Sequence, residues 1–80
     1  MSQLPLCSSE QIIYALKRDG FQPRGKSRRG GHQVFIKPLP HRRTKVVPVP
    51  LGKKEIPRGT LSAILRLAGL TRERFRELLR

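Results

Sequence analysis

Seven consecutive residues hold most of the chemistry available to this chain. Lys26, Ser27, Arg28, Arg29, Gly30 and Gly31 form a basic, glycine-rich run, and His32 closes it. Arginine forks match phosphate geometry, and a glycine backbone lets a phosphate approach its N–H groups. Histidine is the side chain that changes charge near neutral pH without a shifted pKa, so it can give or take a proton there. Cations and one imidazole are sufficient for one reaction. RNA brings its own nucleophile, the 2′-hydroxyl beside each phosphodiester, and needs a base or an acid plus stabilisation of the phosphorane. General acid–base help is worth about 10²–10⁴-fold. DNA lacks the hydroxyl and would resist such a site. Taken alone, a histidine in a basic loop is more often a solvated side chain or a simple phosphate contact. His41, in the turn PLPHRR, reads as solvent-exposed and outside the chemistry.

The totals narrow the function classes. The 80 residues make one small domain, 1–80, with 1–7 as a loose lead-in. Eighteen Lys and Arg against five Asp and Glu leave a net charge of +13. That field draws polyanions, so nucleic acid is the first partner class, ahead of anionic lipid or an acidic protein. No segment is apolar for long enough to cross a membrane, and the start of the chain does not read as a secretory leader. There is one cysteine, Cys7, so neither an intrachain disulfide nor a structural zinc site is expected, and a reducing cytoplasm fits. No Ser/His/Asp set, no plausibly spaced carboxylate pair and no nucleotide-binding glycine fingerprint is present, so neither a metal nor another cofactor is expected.

The elements that must position His32 follow from periodicity and punctuation. SSEQIIYALKRDG reads as a helix capped by Ser8 with Gln11 as capping-box partner, and closed by Gly20. Phe21 is expected beneath it, and Pro23 makes FQPRG a brief or edge strand. HQVFIK alternates, with Val34 and Ile36 on one face and Gln33, Phe35 and Lys37 on the other. Lys37, facing away from Val34 and Ile36, is expected to extend a phosphate-binding groove. In TKVVPVPL, Pro48 and Pro50 remove donors from one side only, which predicts an edge strand with Val47, Val49 and Leu51 toward the core. LGKKEIPRG reads as a polar connection. TLSAILRLAG reads as a second helix, capped by Thr60 and ended by Gly69. A short third helix follows, capped by Thr71, with Phe75, Leu78 and Leu79 as its stripe. The expected class is α+β, an antiparallel sheet with helices on one face.

Over roughly residues 8–79 these pieces resemble a family. The helix IIYALKRDGF, the basic loop closing on RGGH, the strand QVFIK, the segment KKEIPRGTL and the close AILRLAGLTRERFRELL are similar, in that order, to the HicA-type mRNA interferase toxins of type II toxin–antitoxin systems. The resemblance implies a fold like a double-stranded RNA-binding domain: helix, three-stranded antiparallel sheet, helix, here with a short extra C-terminal helix. It implies metal-independent cleavage of mRNA with His32 as the catalytic residue, and a HicB-type antitoxin that covers this histidine. By the same architecture, the first helix would touch RNA. Lys26, Ser27, Arg28, Arg29, Gly30, Gly31 and Lys37 are the expected RNA contacts. Two positions depart from the family pattern. Gly31 stands where a serine is common, and Pro50, Leu51 and Gly52 fill a region that often holds a second histidine. The competing readings are a non-catalytic RNA-binding module on the same fold, and a small protein whose charge serves an acidic partner.

Overall fold

The computed structural model describes residues 6–25 and 31–80. Six elements run in the order α1 (Ser9–Arg18), β1 (Gln22–Arg24), β2 (His32–Leu39), β3 (Arg42–Pro50), α2 (Arg58–Ala68) and α3 (Arg72–Leu78). The fold is α+β and resembles a double-stranded RNA-binding domain, as expected. In α1 the capping box is complete: Ser8 Oγ accepts from the Gln11 N–H at 3.1 Å, and Gln11 Oε1 accepts from the Ser8 N–H at 2.9 Å. Two of the orphan donors at the helix start are thereby satisfied. Past the C-cap Asp19, Gly20 adopts φ +102°, and Phe21 turns back into the core with its N–H on the Leu16 carbonyl at 2.9 Å.

The sheet is antiparallel in the order β1-β2-β3, so β1 and β3 are its edges. Pro23 of β1 and Pro48 and Pro50 of β3 therefore sit on edge strands, where a missing N–H costs no ladder bond, while Pro38 of the central strand falls at a break in the register. Val47 and Val49 are fully buried and Leu51 is half-buried.

In β2 it is the face of Gln33, Phe35 and Lys37 that turns toward the helices. The residue in the core is Phe35, 2% exposed, while Val34 and Ile36 are only half-buried. The cause is a register shift near Pro38. Leu39 pairs with Arg42 at the turn, yet Lys37 pairs with Lys45, so β3 advances three residues while β2 advances two. Without that extra residue Val34 would face Val47; with it, Phe35 does. A one-residue slip moves every side chain of a strand to the other face.

Phe35, Val47 and Val49 share one core with Ile12 and Leu16 of α1, Leu61 and Ile64 of α2, and Phe75 and Leu78 of α3. All three helices thus pack toward one side of the sheet. Two corrections concern the connections. Helix α2 begins at Arg58 with Pro57 as N-cap and no side-chain cap, so Thr60 lies inside its first turn. Proline suits this start because its φ is preset and it has no N–H to leave unsatisfied. The lead-in and the polar connection also meet: Ile56 donates its N–H to the Cys7 carbonyl at 2.7 Å, and both side chains are buried. Gly69 (φ +70°) ends α2, and Thr71 Oγ1 caps α3 by accepting from the Arg74 N–H at 3.0 Å.

Candidate functional site

His32 is the first residue of β2 and is exposed. The ladder determines which way it faces. Leu51 donates to the Gly31 carbonyl at 2.7 Å, so 31 and 51 form a hydrogen-bonded pair. His32 and Pro50 are then a non-hydrogen-bonded pair, the kind in which opposed Cα atoms approach to about 4.5 Å. Phe35 points into the core, so His32, three residues earlier, points to the side without helices. Val34, Ile36, Pro48 and Pro50 lie on that same side, and so do Gln22 and Arg24 of β1, which pair with Ile36 and Val34.

Both stems of the basic loop are tied to the sheet. On one side Gln33 Nε2 donates to the carbonyls of Gly25 at 2.8 Å and Arg24 at 3.3 Å. On the other, Gly31 is held by Leu51. Lys26, Ser27, Arg28, Arg29 and Gly30 lie outside the described residues. Gln33 was not marked by sequence reasoning, because nothing in a strand pattern says that an amide will clamp the loop beside it.

Lys37 is not brought together with His32. The two are five positions apart on one strand, an odd offset that puts them on opposite faces, and Lys37 is on the helix-covered side. Its Nζ lies 3.2 Å from Asp19 Oδ2 and 5.7 Å from the centre of the Phe21 ring. The expectation that it extends the groove around His32 is corrected for the same reason as Phe35: both lie on the covered face of β2. His41 is exposed at the far end of β2, in the two-residue turn, with φ +61°. Cys7 is buried, and that burial pushes its thiol pKa up. Among the described residues no three His, Cys, Asp or Glu side chains gather where they could hold a metal ion.

Charge is divided between the layers. From 20 to 54 the sequence has no Asp or Glu, but ten Lys and Arg. The five acidic residues, Glu10, Asp19, Glu55, Glu73 and Glu77, all lie outside that stretch. The three strands therefore carry cations and no carboxylate. This run was present in the sequence as a signal, and it is the one that would have drawn attention to Arg24.

The sequence model described as "HicA toxin of bacterial toxin-antitoxin" matches residues 9–70. The chain belongs to the HicA toxin family. The match takes in α1, the whole sheet and α2, and leaves α3 beyond it. No curated protein matches the chain. Membership of the HicA family makes this a toxin of a toxin–antitoxin pair, with an antitoxin as its partner. Among the described residues no helix is long and apolar enough to cross a membrane.

Proposed function

We propose that this HicA-family toxin is a metal-independent endoribonuclease that cuts mRNA in the cytoplasm, with His32 as the general acid or base. The observation that carries the reading is the exposed imidazole at the mouth of β2, directly beside a basic loop whose stems are clamped. As base, His32 takes the proton of a 2′-hydroxyl. The freed oxygen attacks the adjacent phosphorus, and the bond to the 5′-oxygen breaks. That oxygen is protonated as it leaves, giving a 2′,3′-cyclic phosphate and a 5′-hydroxyl. Lys26, Arg28 and Arg29 hold the backbone, with Ser27, Gly30 and Gly31 letting it come close. A HicB-type antitoxin would silence the site by covering His32.

Purified protein incubated with RNA in EDTA, wild type beside His32→Ala, tests all of this together. The wild type is expected to cut, and the variant to lose about 10²–10⁴-fold in rate. The melting temperature should not change, because His32 is exposed. A fully active variant ends the reading. Wild-type protein that binds RNA without cutting it supports the non-catalytic module instead.

A further inference from the structure

We propose that Arg24 is a second catalytic residue, which grips the phosphate beside His32, and that the RNA lies single-stranded across the helix-free face of the sheet. This rests on the nuclease reading above and adds to it a residue and a substrate form.

The register supplies the geometry. Arg24 pairs with Val34, and His32 is two residues before Val34 on the same face. Such diagonal neighbours are separated by about 7–8 Å, within reach of a long side chain. A phosphate between the two would meet the imidazole from one strand and a guanidinium from the next. An arginine fork can bond two phosphate oxygens at once, and its charge is permanent, so it opposes the negative charge that grows on a phosphorane.

Arg24 is available for that task. It is exposed, and among the described residues none hydrogen-bonds or ion-pairs with its guanidinium. The lysines on the covered side are engaged. Lys37 is held by Asp19, and Lys45 donates to the Ala68 carbonyl at 3.1 Å. With no carboxylate between 20 and 54, nothing in the sheet's own sequence competes with a phosphate for Arg24.

The floor of the same face indicates the form of the RNA. Val34 lies opposite Pro48, Ile36 opposite Val46, and Pro50 opposite His32. Val46 is 46% exposed, although it is a large apolar residue in the sheet. An exposed apolar floor can cover the apolar ring faces of unpaired bases, whereas a duplex hides those faces and offers phosphates and groove edges. A cation at one edge and an apolar floor beside it suit one strand rather than two. The body of α1, on the other side of the sheet, takes no part.

The test compares cleavage of one oligonucleotide, alone and annealed to its complement, by wild type, Arg24→Gln, Arg24→Lys and Lys17→Gln. Lys17 is an exposed cation of α1 and serves as the control. The expected result is cleavage of the single strand and not of the duplex. Arg24→Gln should lower kcat/KM by about 10²-fold or more, with partial recovery in Arg24→Lys. Lys17→Gln should stay within about 2-fold of wild type. Binding of a 2′-O-methyl strand, which has no nucleophile, adds a second readout. Arg24→Gln should reduce the slope of log affinity against log salt by about 0.7, the loss of one phosphate contact. The proposal is overturned if Arg24→Gln matches wild type in rate and slope, or if the duplex is cut as fast as the strand. Wild-type protein that cuts neither form would end the nuclease reading and Arg24's catalytic role together. The salt slope would then still decide whether Arg24 touches the strand.

Discussion

His32 and Cys7 are each single groups whose surroundings decide what they can do. His32 stands at a strand's first residue, where the backbone is fixed by the sheet and the side chain is open to a ligand. That position was legible, because a glycine pair followed by apolar alternation marks a loop entering a strand. Cys7 shows the opposite outcome. A lone cysteine near the start of a chain looks dispensable, yet its side chain is 1% exposed and belongs to the core. Burial disfavours the thiolate, so the unfolded chain ionises first. The sign follows from linkage: the thiol's contribution to stability is fully present below its unfolded pKa and is lost as pH rises through the raised folded pKa. Urea midpoints at alkaline pH should therefore fall more steeply for wild type than for Cys7→Ala. Labelling with a thiol reagent should also be slow in the native state; a local opening cost of about 3 kcal/mol slows it about 100-fold relative to protein in urea. Equal labelling rates in the two states would show that Cys7 is not held in the core as described.

Helices were easier to anticipate than the facing of strands. The capping box of α1, Gly20, Gly69 and the Thr71 cap all stand where local chemistry predicts. Thr60 did not cap α2, because Pro57 already caps the helix three residues upstream and Ile56 anchors it in the core. The facing of β2 could not be read from VFI, since three apolar residues in a row satisfy either phase of a period-two pattern. Gly69 carries the sharpest prediction at this scale. Its φ is +70°, and an added Cβ would run into the Lys45 ammonium, which donates to the Ala68 carbonyl. Gly69→Ala should cost about 1–2 kcal/mol from backbone strain alone. Gly59, inside α2 with open space around it and no left-handed φ, is the contrasting position. Gly59→Ala should stabilise by about 0.5–1 kcal/mol. Urea titration with an unchanged m-value checks both substitutions.

The whole molecule keeps its acids off the sheet. The acid-free sheet layer lies on one side, and helices bearing Glu10, Glu73 and Glu77 lie on the other, with Asp19 and Lys37 as the ion pair that joins them. Arg74 adds a longer contact to Asp19 at 3.9 Å, so α3 approaches the same junction. Unsatisfied positive charge repels itself in the folded state, so a bound polyanion should stabilise the protein as well as occupy it. At 100 times its Kd, a 2′-O-methyl strand adds about 2.7 kcal/mol. For a domain of this size that raises Tm on the order of 10 °C. Thermal melts with and without the strand should show this rise, and high salt should remove it. A rise that persists in high salt would mean that the charged layer is not what holds the strand.

The sequence by itself determined the secondary-structure order, the edge positions of the proline strands, the basic loop, the histidine and the family. Those are local or compositional properties: caps, periodicities, missing donors and net charge act within a few residues or over the whole sum. Tertiary structure alone decided which side of the sheet each group occupies. It sent Lys37 to Asp19, brought Arg24 near His32 across the register, and set Gln33 against the loop stem. For Lys37 and for the side that β2 turns to the helices, the reason is the single extra residue of β3 opposite Pro38, whereas Arg24 and Gln33 are placed by the unbroken β1–β2 register. Side chains alternate with a period of two, so one unpaired residue in a hairpin reverses which of them meet the core and which meet a ligand.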